Sequence, residues 1–156
     1  MTEFENLVVG GCSFTEKSVW ALYLEHCLRP KKYLDCGFGG AGNYHISRSV
    51  HWALECNNLQ PEKTLVVIMW SGNDREDEII SSQHLLPNNP GFYYTDSVVT
   101  AITGGLHQRV KTNCVDKFSN LAAAKSLKSR AVENYLHISS LYHYLQSQGY
   151  NFVFLD

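Results

Sequence analysis

Three short polar turns in this 156-residue chain hold the residue types that acyl-transfer chemistry needs. Gly10-Gly11-Cys12-Ser13-Phe14-Thr15 follows the apolar run Leu7-Val8-Val9, and Gly37-Phe38-Gly39-Gly40-Ala41-Gly42-Asn43 follows Tyr33-Leu34. Ser71-Gly72-Asn73-Asp74 follows Leu65-Val66-Val67-Ile68-Met69-Trp70. A serine hydroxyl is inert at its free pKa, so it needs a base, and the oxyanion it creates needs donors fixed in advance. Ser13 is the candidate nucleophile, set where a strand gives way to a helix, with its backbone N–H near a helix N-terminus whose dipole favours negative charge. Gly40 offers an N–H with no side chain in the way, and Asn73 offers an amide donor. Asn43 and Asp74, at the ends of their turns, are candidate substrate contacts. So are Tyr93 and Tyr94, which with Phe92 could stack on a sugar or acyl group or equally anchor their loop.

These turns must be delivered by strands. Leu7 to Gly11, Lys32 to Cys36, Thr64 to Trp70 and Asn151 to Leu155 read as four strands. Between them, Val19, Trp20, Tyr23, Cys27 and Leu28 recur at helical spacing, and Pro30 stops that helix. Ile46, Val50, Ala53 and Leu54 mark a second helix, and Leu127, Ala131, Tyr135, Ile138, Tyr142 and Leu145 a third that ends at Gly149. Strands alternating with helices predict a parallel sheet, because parallel neighbours need crossover connections. The expected fold is α/β, a doubly wound, flavodoxin-like parallel sheet with helices on both faces. Its C-terminal part is expected to be missing, since the chain stops at Asp156 without a covering helix. In such sheets ligands bind outside the carboxyl ends of the strands, where all three turns lie. A short acidic helix is expected over residues 75–86 and a long loop insertion over about 87–119.

At these residues the chain resembles the SGNH hydrolases, also called GDSL-like esterases and lipases. Gly11-Cys12-Ser13 is similar to the family's Gly-Asp-Ser block with Cys in place of Asp, Gly37-Phe38-Gly39-Gly40 to its second block, and Ser71-Gly72-Asn73-Asp74 to its Gly-x-Asn-Asp block. Short glycine-rich turns arise by chance, but three in order, each after a strand, are a stronger signal. The variant Gly-Cys-Ser-Phe-Thr with Trp-Ser-Gly-Asn-Asp-Arg looks most like small members from phages and marine microbes. The resemblance implies a single SGNH-hydrolase-like domain over residues 1–156, hydrolysing an ester or O-acetyl group on a glycan through an acyl-enzyme on Ser13. Gly40 and Asn73 would complete the oxyanion site, with no metal or organic cofactor. The family's acid and base come from an Asp-x-x-His block, and none exists here. Seven histidines are present, of which His45 follows the second block while His84 and His107 lie near or in the long loop. A truncated or inactive esterase is one outcome. The alternative is a degenerate SGNH-like glycan-binding or structural module of a phage particle or larger assembly.

Blander roles stand beside these. Ser13 or Thr15 could cap the first helix, and Asn73-Asp74 could form an ordinary turn, with residues 76–78 solvated. A phosphate-cradling loop at Gly37 to Gly42 is the weaker reading, because neither Gly-x-Gly-x-x-Gly nor a following Lys-Ser/Thr is present. Cys12, by strand alternation, points away from Ser13.

Composition excludes other classes. With 44% hydrophobic and 18% charged residues, the chain suits one globular domain. A net charge of −2 offers no field for nucleic acid or an anionic membrane. No apolar stretch reaches the ~20 residues of a membrane span and no signal peptide opens the chain, so a cytoplasmic protein is expected, virion-associated if phage-encoded. Five cysteines without metal-type spacing predict reduced thiols, with Cys27, Cys36 and Cys56 in the core. An uncovered sheet edge at the fourth strand would admit self-association or an assembly partner.

Overall fold

The computed structural model describes residues 4–73, 75, 77–81, 97–101 and 125–155, and structural statements below concern these. In chain order the elements are β1 (Asn6–Gly11), α1 (Val19–Leu28), β2 (Lys32–Gly37), α2 (Asn43–Asn57), β3 (Thr64–Met69), β4 (Asp77–Ser81), β5 (Ser97–Ala101), α3 (Leu127–Gln148) and β6 (Asn151–Leu155). A turn of 3-10 helix at Pro61–Lys63 leads into β3.

Strands β2, β1, β3 and β6 lie side by side in that order, all parallel. The period of two along a strand sends Leu7, Val9 and Val67 to one face, where Ala21 and Leu24 of α1 cover them. Val8, Val66 and Ile68 face the other way, onto Ile46, Val50 and Leu54 of α2 and Leu141 and Leu145 of α3. This is an α/β fold with helices on both faces of a parallel sheet, and burial on both sides is why β1 and β3 read as unbroken apolar runs. Each such fully buried side chain contributes about 1.5–3 kcal/mol relative to exposure. Gly10 lets α2 come this close, because a Cβ there would collide with Val50.

Several helix details differ from the sequence reading. In α1 the buried stripe runs through Ala21 and Leu24, leaving Val19, Tyr23 and Cys27 exposed. Cys56 is exposed too, so neither it nor Cys27 is a core residue; Cys36 is partly buried against the α2 and α3 side. The stripe on α3 is Asn134, Ile138, Leu141 and Leu145, while Leu127 and Tyr135, expected on it, are about two-thirds or more exposed at 71% and 67%. A polar residue at one of the buried positions hid the true phase. Gly149 ends α3 as expected, at φ 78° with its N–H bonded to Gln146 and Leu145 carbonyls.

Within the acidic helix expected over residues 75–86, the described Asp77–Ser81 is instead a strand, paired antiparallel with Ser97–Ala101, which lies inside the expected loop insertion. Ile79-Ile80 and Val98-Val99-Thr100 are β-branched and favour extended backbone. At the far edge of the parallel sheet, Val153 of β6 is 46% exposed. No helix among the described residues is long and apolar enough to cross a membrane.

Candidate functional site

Because β1 lies between β2 and β3, the turns that leave the three strands emerge side by side at one end of the sheet. Gly11 pairs with Gly37 across β1 and β2, and Gly10 with Ile68 across β1 and β3. Each turn is then tied to its neighbour by specific hydrogen bonds.

After β1, the Cys12 carbonyl accepts from the N–H groups of Thr15 (2.9 Å) and Glu16 (3.1 Å). This closes one tight turn with Ser13 exposed on its outer side, while Cys12 and Thr15 are buried beneath it. Helix α1 starts later, at Val19, and Ser18 caps it by accepting from Ala21 N–H. Ser13 therefore does not sit at the α1 N-terminus, and neither Ser13 nor Thr15 caps that helix. The tertiary reason lies in Lys17, whose φ of 49° breaks the helical path between Glu16 and Ser18.

The second turn is stitched to the first. Phe38 N–H donates to Gly11 carbonyl at 3.0 Å. The Glu16 carboxylate accepts from Gly39 N–H at 2.7 Å, and Asp35 accepts from both Gly37 N–H (2.8 Å) and Lys17 N–H (2.9 Å). Gly40 follows at φ 85°, a left-handed conformation that glycine adopts without a Cβ penalty.

The third turn is held by two asparagines. Asn43, 2% exposed, donates from Nδ2 to the Ser71 carbonyl (2.9 Å) and accepts at Oδ1 from Ser71 N–H (2.8 Å). Its amide braces α2 against the end of β3, and the residue also lines two clefts at this end of the sheet. Asn134, on α3 and 6% exposed, donates from Nδ2 to Oδ1 of Asn73 at 3.2 Å. With the oxygen of Asn73 engaged, its Nδ2 is the atom left to donate into the site, and Asn73 itself is exposed. A cleft of about 340 Å³ beside it is lined by Asn73, Trp70, Ser71 and Ile138. Among the described residues, the buried Trp70 Nε1 and Ser71 Oγ have no hydrogen-bond partner.

Beyond Asn73 the chain turns back toward α2. Gly42, the N-cap of α2, has no side chain to cap with, and Asp77 supplies the cap from the start of β4. Its carboxylate accepts from Gly42 N–H and His45 N–H, each at 2.8 Å. Those are the two donors that a capping box satisfies reciprocally from within one helix. Asp77 is thus not a solvated helix residue but the link that fixes the β3–β4 connection onto α2.

Four of the five described histidines contact other groups, and the fifth, His26, is exposed on α1. His45 is buried and stacked on Phe38, with ring centroids 5.2 Å apart, and His137 lies 4.9 Å from the Tyr44 ring. His51 lies 3.7 Å from the Glu55 carboxylate, and His143 packs against Tyr142. Among the described residues Ser13 has no hydrogen-bond partner, so no Ser–His pair is formed there. Asp74, Tyr93, Tyr94, His84 and His107 lie outside the described residues.

Cys12 belongs to the core beside Ala41 and Trp70, away from the exposed Ser13. Burial, helped by the charge of Asp35, pushes the Cys36 thiol up to about 12, which keeps it protonated and unreactive at neutral pH. Among the described residues no group of His, Cys, Asp and Glu is arranged to hold a metal ion.

Sequence reasoning missed Glu16, Asp35, Asp77 and Asn134. Of these, only Asp77 had a legible signal, an acidic residue soon after a strand-end turn. What that carboxylate meets is settled 35 residues away. Comparison of the chain with models of protein families, and with curated proteins, finds no match in either.

Proposed function

We propose that the chain is an SGNH-type serine esterase that cleaves an ester or O-acetyl group, on a glycan in the fullest form of the reading. Ser13 Oγ attacks the acyl carbonyl, and the Ser13 N–H, Gly40 N–H and Asn73 Nδ2 stabilise the oxyanion. Collapse of the tetrahedral intermediate breaks the acyl–oxygen bond and expels the alcohol, which carries away the proton given up by Ser13 Oγ; water adds to the acyl-enzyme, releases the acid and restores the Ser13 hydroxyl. The observation that carries the reading is the amide of Asn73. Its oxygen is taken by Asn134, which leaves the donor end for the substrate at the same sheet end as an exposed serine. Preorganised donors of this kind are each worth about 3–4 kcal/mol of transition-state stabilisation.

One observation favours a second reading, a non-catalytic SGNH-like module that binds a glycan or joins an assembly, with the β6 edge as one contact. Ser13 lacks a described base, and without one the nucleophile is not activated. A fluorophosphonate serine probe with intact-mass readout decides between the two. The esterase reading expects one adduct on the wild-type chain and none on Ser13→Ala. No adduct on the wild type, under conditions that label a known serine hydrolase, selects the non-catalytic module.

A further inference from the structure

We infer that the cleft on the α3 side of Asn73 binds a carboxylate carried by the substrate, and that Arg75 is the residue that reads it. The inference rests on the esterase reading for the word substrate, but the binding site stands on its own geometry. The cleft, about 220 Å³, opens between the start of α2, the chain just after Asn73 and the first half of α3. Asn134 lines it, and the same side chain holds Asn73, so the cleft adjoins the proposed oxyanion donor.

Among the described lining residues, three cations, Arg75, Lys125 and Arg130, face two carboxylates, Asp77 and Glu133. Among the described residues neither carboxylate forms an ion pair with Arg75. Asp77 accepts from Gly42 and His45 N–H groups, and Glu133 accepts from Lys125 Nζ at 3.0 Å. Arg75 is half-buried, and its guanidinium makes one long hydrogen bond, Nη1 to the Ala41 carbonyl at 3.4 Å. Among the described residues it enters no ion pair. A guanidinium carries five donors in a planar fork that matches a carboxylate bidentately, so most of its capacity is uncommitted. Arg130 lines the same wall and donates from Nη2 to the Lys125 carbonyl at 3.4 Å.

A single guanidinium fork suits a carboxylate monoanion better than a phosphate dianion, and a cleft of about 220 Å³ admits a small acid or one acidic sugar ring rather than a nucleotide. The competing role for Arg75 is a tether on the Ala41 carbonyl. That role predicts a loss of stability on substitution and no ligand dependence.

The carboxylate could belong to the acyl part or to the alcohol part of the ester, and two probes separate these. The full chain, labelled with ¹⁵N, is titrated at constant ionic strength with monomethyl succinate or with D-galacturonate. Dimethyl succinate and D-galactose serve as neutral counterparts. Saturable shifts of the Arg75 Nε–H and the Asn134 side-chain amide are expected for at least one acid and for neither neutral compound. Succinate binding assigns the site to the acyl side, and galacturonate binding to the alcohol side. Arg75→Gln should weaken binding about tenfold or more, and Arg75→Lys, which keeps charge without the fork, should fall between. Absence of saturable shifts with both acids, or binding unchanged in an Arg75→Gln chain whose remaining spectrum is native, overturns the inference. Turnover plays no part, so Ser13→Ala must bind as the wild type does. Failed phosphonate labelling with intact acid binding removes the esterase and leaves the site; the reverse pattern removes the site alone.

Discussion

Replacing Gly42 by serine should destabilise this protein, although serine is among the best N-cap residues. On an ordinary helix the change gains a few tenths of a kcal/mol, because the hydroxyl accepts from the backbone of the first turn. Gly42 has φ −92° and ψ −178°, open to any residue, so no backbone strain enters. The obstacle is steric. A Cβ at Gly42 would lie 2.7 Å from Asp77 Oδ2 and 2.9 Å from Asp77 Cγ, well inside contact distance. To make room the carboxylate must retreat from the N–H groups of Gly42 and His45, both now at 2.8 Å.

Hydrogen bonds to a charged group contribute about 1.5–3 kcal/mol each, and loss of a cap costs about 0.5–2 kcal/mol. Both figures count the same donors, so the combined loss is about 2–3 kcal/mol, of which a new serine hydroxyl recovers only a few tenths. Gly42→Ser should therefore cost about 2–3 kcal/mol, or about 4–12 °C in Tm for a chain of this size. In an Asp77→Ala background the obstacle is gone, the hydroxyl is free to take the His45 N–H, and the same substitution should stabilise by a few tenths of a kcal/mol. Urea unfolding of the four chains of this double-mutant cycle, followed by circular dichroism, reads both signs. A Gly42→Ser chain as stable as the wild type, or an effect of the same sign in both backgrounds, would refute the argument that Asp77 caps α2 from outside.

Four further outcomes are expected. Asn73→Ala should slow phosphonate labelling of Ser13 by about 10²–10³-fold, the effect of losing one oxyanion donor. Asn134→Asp should slow it comparably, because an aspartate accepts from Nδ2 of Asn73 and turns its oxygen toward the site; wild-type labelling in Asn134→Asp would remove Asn134 as its positioning residue. Iodoacetamide at pH 8 should modify the exposed Cys27 and Cys56 while sparing Cys36 until the protein unfolds, as peptide mapping would record. The linked stability change runs in one direction. The folded pKa of Cys36 is raised from 9.0 to about 12, and burial with the charge of Asp35 raises Tyr33 from 10.0 to about 12. Their contributions are complete below about pH 9 and are lost as pH rises toward 12, so thermal midpoints should fall across that interval and not below it.

The parallel sheet was legible in the sequence because a strand buried on both faces must be apolar at every position, and Leu65 to Met69 meets that demand without help from distant residues. The strand ends were legible for the complementary reason, since Gly, Ser and Asn gather where the chain leaves the sheet. Strand alternation also pointed Cys12 away from Ser13, and the residue is buried. The helix stripes were less clear. On α3 the buried Asn134 looks like surface until its partner Asn73, 61 residues earlier, is brought to it. The acidic run around Asp77 reads as a helix start by local rules, and the carboxylate does serve a helix start, but that of α2.

Residue types alone thus determined that an α/β sheet would form and that Ser13, Gly40 and Asn73 would leave it at the carboxyl ends of their strands. Burial pattern and turn chemistry are local properties, written within a few residues. Which way Asn73 points, that Asn43 is a brace, that Asp77 caps a helix it does not belong to and that Arg75 lines a cleft while holding the Ala41 carbonyl were decided by the tertiary structure. Each depends on a hydrogen-bond partner at least 28 residues away, and such partners exist only once the sheet has drawn its connections together.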